Sequence, residues 1–100
     1  MTRIGTFTTL AVPDTTPPVI SAVTPSGITS SGATITWTTN EPADTQIEYG
    51  PTTAYGSLTS LLPALTTTHS QALSGLLPST LYHYRVRSRD AAGNQAVSGD

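Results

Sequence analysis

The chain has 100 residues, which is enough for one small domain with a modest core. Only 10% of the residues are charged, the net charge is −2 and there is no lysine, so the chain offers no basic surface for nucleic acid or an anionic membrane. The lack of cysteine excludes disulfides and thiolate metal sites, and no apolar stretch is long enough for membrane insertion.

Threonine and serine fill nearly a third of the positions. Threonine is β-branched and suits the pleated surface of a sheet, so this composition favours strands and loops. Dense O-glycosylation would use the same hydroxyl groups and is the alternative interpretation. The sequence contains no Asn-x-Ser/Thr site, so any glycan on this chain would be O-linked to threonine or serine.

The chain begins with a strand-like segment at residues 4–10, followed by a proline-rich linker that reads Asp-Thr-Thr-Pro-Pro at residues 14–18. Proline fixes its own φ and biases the preceding residue away from helix, so the linker is expected to be extended and stiff. We therefore divide the chain into a strand-like segment (residues 1–12), a linker (residues 13–18) and a domain (residues 19–100).

Three segments of the domain alternate apolar and polar side chains with the period of two that is typical of strands with one buried face. They are residues 33–39, 45–49 and 82–87. The side chains expected to point inward are Ala33, Ile35, Trp37, Ile47, Tyr49, Tyr82, Tyr84 and Val86. Weaker strand signals lie at residues 19–24 and 69–73, with a short edge strand near Leu58. Because glycine and proline interrupt the chain about every ten residues, the pattern predicts an all-β, immunoglobulin-like β-sandwich.

The sequence gives no pattern for catalysis, so we expect a protein that is not an enzyme and uses no cofactor. Both histidines lie on predicted strands, the acidic residues are scattered, and no Gly-x-Ser-x-Gly motif occurs. Asp90 and Asn94 flank a glycine-containing turn where oxygen ligands could bind calcium. Such residues more often stabilise the turn itself, so we predict no metal site.

Two surface features remain open to interpretation. Arg85, Arg87 and Arg89 form an outward stripe, which we expect to pair across the sheet with Glu48 and which would otherwise be a docking patch. A carbohydrate-binding face would need exposed aromatic side chains, and Tyr55 is the one loop candidate.

Four segments resemble a fibronectin type III domain of the kind found in bacterial and archaeal surface proteins and beside secreted hydrolases. They are residues 14–18, 34–44, 46–50 and 76–94, and the resemblance covers about four-fifths of the chain. It implies a two-sheet sandwich with a tyrosine corner, in which a phenol bonds backbone upstream and fixes the crossing between sheets. The corner residues are Leu76, Pro78, Thr80 and Tyr82.

This sequence departs from the family pattern after the Asp-Ala-Ala-Gly-Asn turn, where family members continue into a full C-terminal G strand and this chain has only residues 95–100. We therefore expect a sandwich that lacks most of its G strand and leaves an open edge, and open edges recruit other strands. The strand-acceptor edge would consist of Tyr82, Tyr84 and Val86. The strand-donor residues, at the opposite terminus, would be Ile4, Thr6, Phe7, Thr8, Thr9 and Leu10.

Three arrangements of residues 4–10 are open. Insertion into the same domain is disfavoured, because the eight residues 11–18 reach about 28 Å whereas a ten-residue strand spans roughly 33 Å. Donation to a neighbouring molecule would build a head-to-tail filament. The segment would otherwise be the remnant of a preceding domain in a repeat array.

The leading hypothesis is an extracellular or cell-surface structural subunit that polymerises with itself by donor-strand exchange. The alternative is a spacer or adhesion module from a multidomain surface protein or secreted hydrolase.

Overall fold

The computed structural model describes residues 5–9 and 14–100, in which every regular element is a β-strand. The strands are β1 (Ile20–Ser26), β2 (Ala33–Gly50), β3 (Ser57–Leu58), β4 (Leu62–Leu73), β5 (His83–Arg89) and β6 (Gln95–Val97). All pairings between these strands are antiparallel. A helix capable of crossing a membrane is absent from the part of the chain that the structure describes. The prediction of an all-β fold is confirmed.

Strand β2 organises the whole molecule because each of its halves pairs with different neighbours. Its first half lies between β1 and β4, and its second half lies between β3 and β5. A register shift between Thr38 and Ala43 separates the two halves. Strand β6 pairs with β5, so the order of neighbouring strands along this path is β1-β2-β5-β6. The result is a curled antiparallel sheet in two layers, which agrees with a β-sandwich.

The sequence predicted two separate strands where the structure has β2, because Asn-Glu-Pro at residues 40–42 has the composition of a turn. The backbone instead stays extended through this segment and bends between the two layers. Strand β4 likewise begins at Leu62, earlier than the predicted start at residue 69. The short edge strand near Leu58 is confirmed as β3.

The apolar core lies between the layers and receives side chains from three strands. Ile35 and Trp37 come from the first half of β2, and Ile47 comes from its second half. Leu73 of β4 and Val86 of β5 complete the cluster, in which no side chain is more than 6% exposed. Burying each such side chain contributes about 1.5–3 kcal/mol. Alternation along the strands therefore placed Ile35, Trp37, Ile47 and Val86 correctly, whereas Leu73 was not among the side chains predicted to point inward.

Trp37 also makes polar contacts inside the core. Its indole Nε1–H donates to Ser88 Oγ over 3.0 Å, which joins the first half of β2 to β5. Its ring stacks on the His69 ring with centroids 5.0 Å apart and planes 6° apart. Trp37, Ser88 and His69 are each at most 3% exposed, so this arrangement fixes how the two layers pack.

The hydrogen bonds of His69 determine its tautomer. Thr39 donates its hydroxyl hydrogen to the Glu41 carbonyl oxygen over 2.7 Å, so it accepts from His69 Nε2–H over 2.9 Å. Nδ1 therefore carries no hydrogen and accepts from the Thr45 hydroxyl over 2.7 Å. Burial lowers the pKa of His69, so the neutral ring is favoured. The two threonines explain how β4 tolerates a histidine on its inward face.

Candidate functional site

The predicted strand-acceptor edge lies along β5. Tyr84 and Val86 pair on one side with the second half of β2. On the other side, β6 pairs with residues 87–89 of β5. Ser98 extends this contact, since its N–H donates to the Val86 carbonyl oxygen and its Oγ accepts from the Val86 N–H, both over 2.9 Å. The chain's own C-terminal residues therefore occupy the edge as far as Val86.

The last residue contacts the same surface. The Asp100 carboxylate lies 2.8 Å from His83 Nδ1 and accepts from the Tyr55 hydroxyl over 3.1 Å. The hydrogen bond with His83 is the main reason that the pKa of Asp100 is lowered. Burial and the bond to Asp100 raise the pKa of Tyr55. The side chains of His83 and Tyr55 thus hold Asp100 beside β5.

The residues of the predicted tyrosine corner lie between β4 and β5. The Tyr82 hydroxyl accepts from the Leu77 backbone N–H over 2.9 Å. Thr80 donates its hydroxyl to the Pro78 carbonyl oxygen over 3.0 Å, and Leu76 packs against the apolar core. The phenol therefore makes a bond to backbone upstream, the contact that the resemblance implies for this position.

An apolar groove of ≈ 540 Å³ opens beside this corner. Its lining includes Pro25, Ile28, Leu77, Leu81 and Tyr82. Four of these residues are exposed, among them Leu81 at 76%. A second groove, which Val23, Leu81 and Gly99 help to line, adjoins the first.

The predicted strand-donor segment lies apart from these grooves. Thr6, Phe7, Thr8 and Thr9 are exposed and outside any strand, and the Phe7 side chain is 90% exposed. Ile4 and Leu10 lie outside the described residues. The donor role of this segment therefore stays a prediction.

The arginine stripe is largely engaged within the sheet. Arg85 and Arg87 form ion pairs with Glu48 over 2.8 Å and 3.1 Å, as predicted. The Arg85 guanidinium also lies 4.8 Å from the centre of the Tyr55 ring. Arg89 differs, since its backbone N–H donates to the Asp44 carboxylate. These contacts occupy part of the arginine stripe and of Tyr55. A partner could therefore reach less of these side chains than the sequence alone suggested.

Three carboxylates meet at the end of β5. Asp14, Glu41 and Asp90 each bring one oxygen to within 4.8 Å of the others, and we call this group the acid cluster. Asn94 donates its backbone N–H and its amide to the Asp90 carboxylate over 2.9 Å and 3.2 Å. Burial raises the pKa of Asp90, but the bonds from Asn94, together with its contacts to Glu41 and Asp14, outweigh this effect and hold the pKa at about 2.

The sequence indicated the contact between Asp90 and Asn94 but not the other two members of the acid cluster. It connected Asp90 with Asn94 through their turn, and the structure shows the turn-stabilising bonds expected there. It missed Asp14 and Glu41, which arrive from the linker and from the bend of β2. No spacing in the sequence links these three segments, so only the folded chain brings them together.

Both histidines have partners unsuited to nucleophilic catalysis. His69 is buried between two threonines, and His83 bonds the Asp100 carboxylate. His69 Nδ1 accepts from the Thr45 hydroxyl, but both residues are only 3% exposed, so a substrate cannot reach this hydroxyl.

Comparison with known proteins finds similarity to two bacterial glucanases. Endoglucanase B of Cellulomonas fimi is 43% identical over 99 residues, which cover 93% of this chain. Exoglucanase B of Cellulomonas fimi is 38% identical over 90 residues, which cover 89% of this chain. The chain spans only 9% and 8% of the lengths of these two relatives. No family model and no solved structure matches the chain.

Proposed function

We propose that this chain is a non-catalytic spacer module of a secreted polysaccharide hydrolase, built as a fibronectin type III-like sandwich. The observation that carries the proposal is the unequal coverage in the comparisons. Nearly the whole chain matches Endoglucanase B, yet the match occupies 9% of that protein. A segment of this size corresponds to one small domain within a much longer chain. Since glucan polymers lie outside the cell, we infer an extracellular location.

The chemistry of the described residues supports a non-catalytic role. Glycoside hydrolysis usually needs two carboxyl groups that flank a sugar-binding cleft about 5–10 Å apart. The acid cluster is tighter than this, and its Asp90 is 6% exposed and bonded to Asn94. The carboxylates of the acid cluster line neither of the two apolar grooves. The acid cluster is therefore not arranged as the acid and base of a glycoside hydrolase.

The comparisons favour this module over the head-to-tail filament that led the sequence-based hypotheses. Both relatives are glucanases in which the matching region is a small segment. A spacer needs a stable fold and two accessible ends, and it needs no ligand pocket. The buried core and the exposed residues 5–9 and 99–100 meet these requirements.

The test is to incubate the purified chain with a soluble glucan and with insoluble cellulose. A spacer module releases no reducing sugar above the buffer background and stays in the supernatant after the cellulose is sedimented. Sugar release would overturn the non-catalytic assignment. Retention on cellulose, measured against albumin as the control protein, would identify a carbohydrate-binding module instead.

A further inference from the structure

The acid cluster joins three parts of the chain that are remote in sequence. Asp14 belongs to the linker, Glu41 to the bend of β2, and Asp90 to the end of β5. The ion pairs found among the described residues involve Glu48 and Asp100, and none involves the acid cluster. Three carboxylates thus lie within 4.8 Å of one another without an arginine or histidine from that part of the chain to balance them.

A second observation points to a missing partner at the same place. Glu41 Oε1 has less than 1 Å² of accessible surface and no hydrogen-bond partner among the described residues. A buried carboxylate oxygen without a partner is strongly disfavoured, so this atom requires either a proton or a cation.

We propose that Asp14, Glu41 and Asp90 bind one calcium ion. All three ligands are carboxylate oxygens, which suit a hard divalent cation. Oxygens on opposite sides of Ca²⁺ are about 5 Å apart, whereas those around Mg²⁺ are about 4 Å apart. The observed separation of up to 4.8 Å therefore accommodates Ca²⁺ without contraction.

Asn94 supports this geometry from outside the ligand set. Its amide donates both to the Asp90 carboxylate and to the Asp14 carbonyl oxygen, the latter over 2.8 Å. These bonds orient Asp90 and hold the linker beside it. An ion bound here would fasten the linker to the body of the sandwich. Calcium binding at this place is independent of whether the module acts as a spacer.

The test is isothermal titration of the intact chain, freed of divalent ions with a chelator, with CaCl₂ and in parallel with MgCl₂. We expect one Ca²⁺ per chain with a Kd on the order of 10⁻⁴–10⁻³ M, as in extracellular modules, and weaker binding of Mg²⁺. The melting temperature should rise by about 5 °C or more once the Ca²⁺ concentration exceeds the Kd tenfold. No heat of binding and no change in melting temperature at matched ionic strength would overturn the proposal.

Two substitutions make the test specific. Glu41→Gln keeps the shape of the side chain and should weaken Ca²⁺ binding about tenfold or more. In chelator the same variant should melt at or above the wild-type temperature, because it removes repulsion within the acid cluster.

Asp100→Asn is the matched control, since Asp100 lies outside the acid cluster and should leave Ca²⁺ affinity unchanged. Wild-type affinity in Glu41→Gln, or an equal loss in Asp100→Asn, would refute the assignment. A proton on Glu41 would then account for the buried oxygen.

Discussion

Replacing Ser88 with alanine tests the polar contact at the centre of the core. Ser88 is 0% exposed and accepts from the indole N–H of Trp37, which is itself 2% exposed. The variant leaves this N–H buried without an acceptor, which costs about 1–3 kcal/mol. In a domain of this size each kcal/mol corresponds to about 4–8 °C, so we expect the melting temperature to fall by roughly 4–24 °C. Urea unfolding followed by far-ultraviolet circular dichroism measures the loss in every variant, including one that lacks Trp37, the single tryptophan.

Two controls separate the hydrogen bond from general effects of the substitution. Ser70→Ala changes an exposed serine of β4 and should alter the free energy of unfolding by less than about 0.5 kcal/mol. In a Trp37→Phe background the donor is gone, so Ser88→Ala should cost less than it does in the wild type. A Ser88→Ala variant as stable as Ser70→Ala, or with the same cost in both backgrounds, would refute the reasoning.

Three further substitutions test other contacts. Because folding lowers the pKa of His69, the unfolded chain binds the extra proton below pH 6.5. The free energy of unfolding therefore decreases as the pH is lowered below 6.5, by at most about 1.4 kcal/mol per pH unit. His69→Gln should flatten this slope in urea titrations between pH 5 and 7, and an unchanged slope would contradict it. Gly50→Ala would place a β-carbon against the Tyr55 carbonyl oxygen, so we expect a loss above about 2 kcal/mol rather than wild-type stability. Tyr82→Phe removes the acceptor of the Leu77 N–H and should cost about 0.5–1.5 kcal/mol in chemical unfolding, whereas no change would show that the bond is dispensable.

The strands were predictable because their side chains alternate with one face buried. That period correctly placed Ile35, Trp37 and Ile47 on the inward faces of their strands. Extending the same alternation also puts Thr39 and Thr45 on the inward face, where the structure shows them bonded to His69. This polar network was therefore within reach of the sequence pattern, although its hydrogen bonds were not.

Other features depend on contacts that no local pattern encodes. Pro42 and its neighbours have the composition of a turn. The strand nevertheless stays extended through the bend, because β2 pairs with β4 just before this segment, at Thr38, and just after it, at Ala43. The acid cluster arises because Asp14 and Glu41 reach Asp90 across the fold. Sequence spacing reports which residues share a face, and it does not report which faces meet at the end of a sandwich.

The function that sequence alone placed first depends on residues 4–10, whereas the comparisons support the module that was placed second. The exposed Phe7 and the apolar groove beside Tyr82 are the two surfaces that a strand-exchange filament would have to join. The contacts of Ser98 with Val86 satisfy part of the edge from within the chain. A free spacer module and a polymerising subunit therefore differ in a property that can be measured directly.

That property is the mass of the intact chain in solution, determined by light scattering over a wide range of concentration. A spacer module predicts a monomer at every concentration, with a mass of 10.4 kDa for the intact chain and the correspondingly smaller monomer mass when residues 1–12 are deleted. Species that grow with concentration, and that disappear when residues 1–12 are deleted, would contradict the spacer assignment and identify a strand-donating subunit.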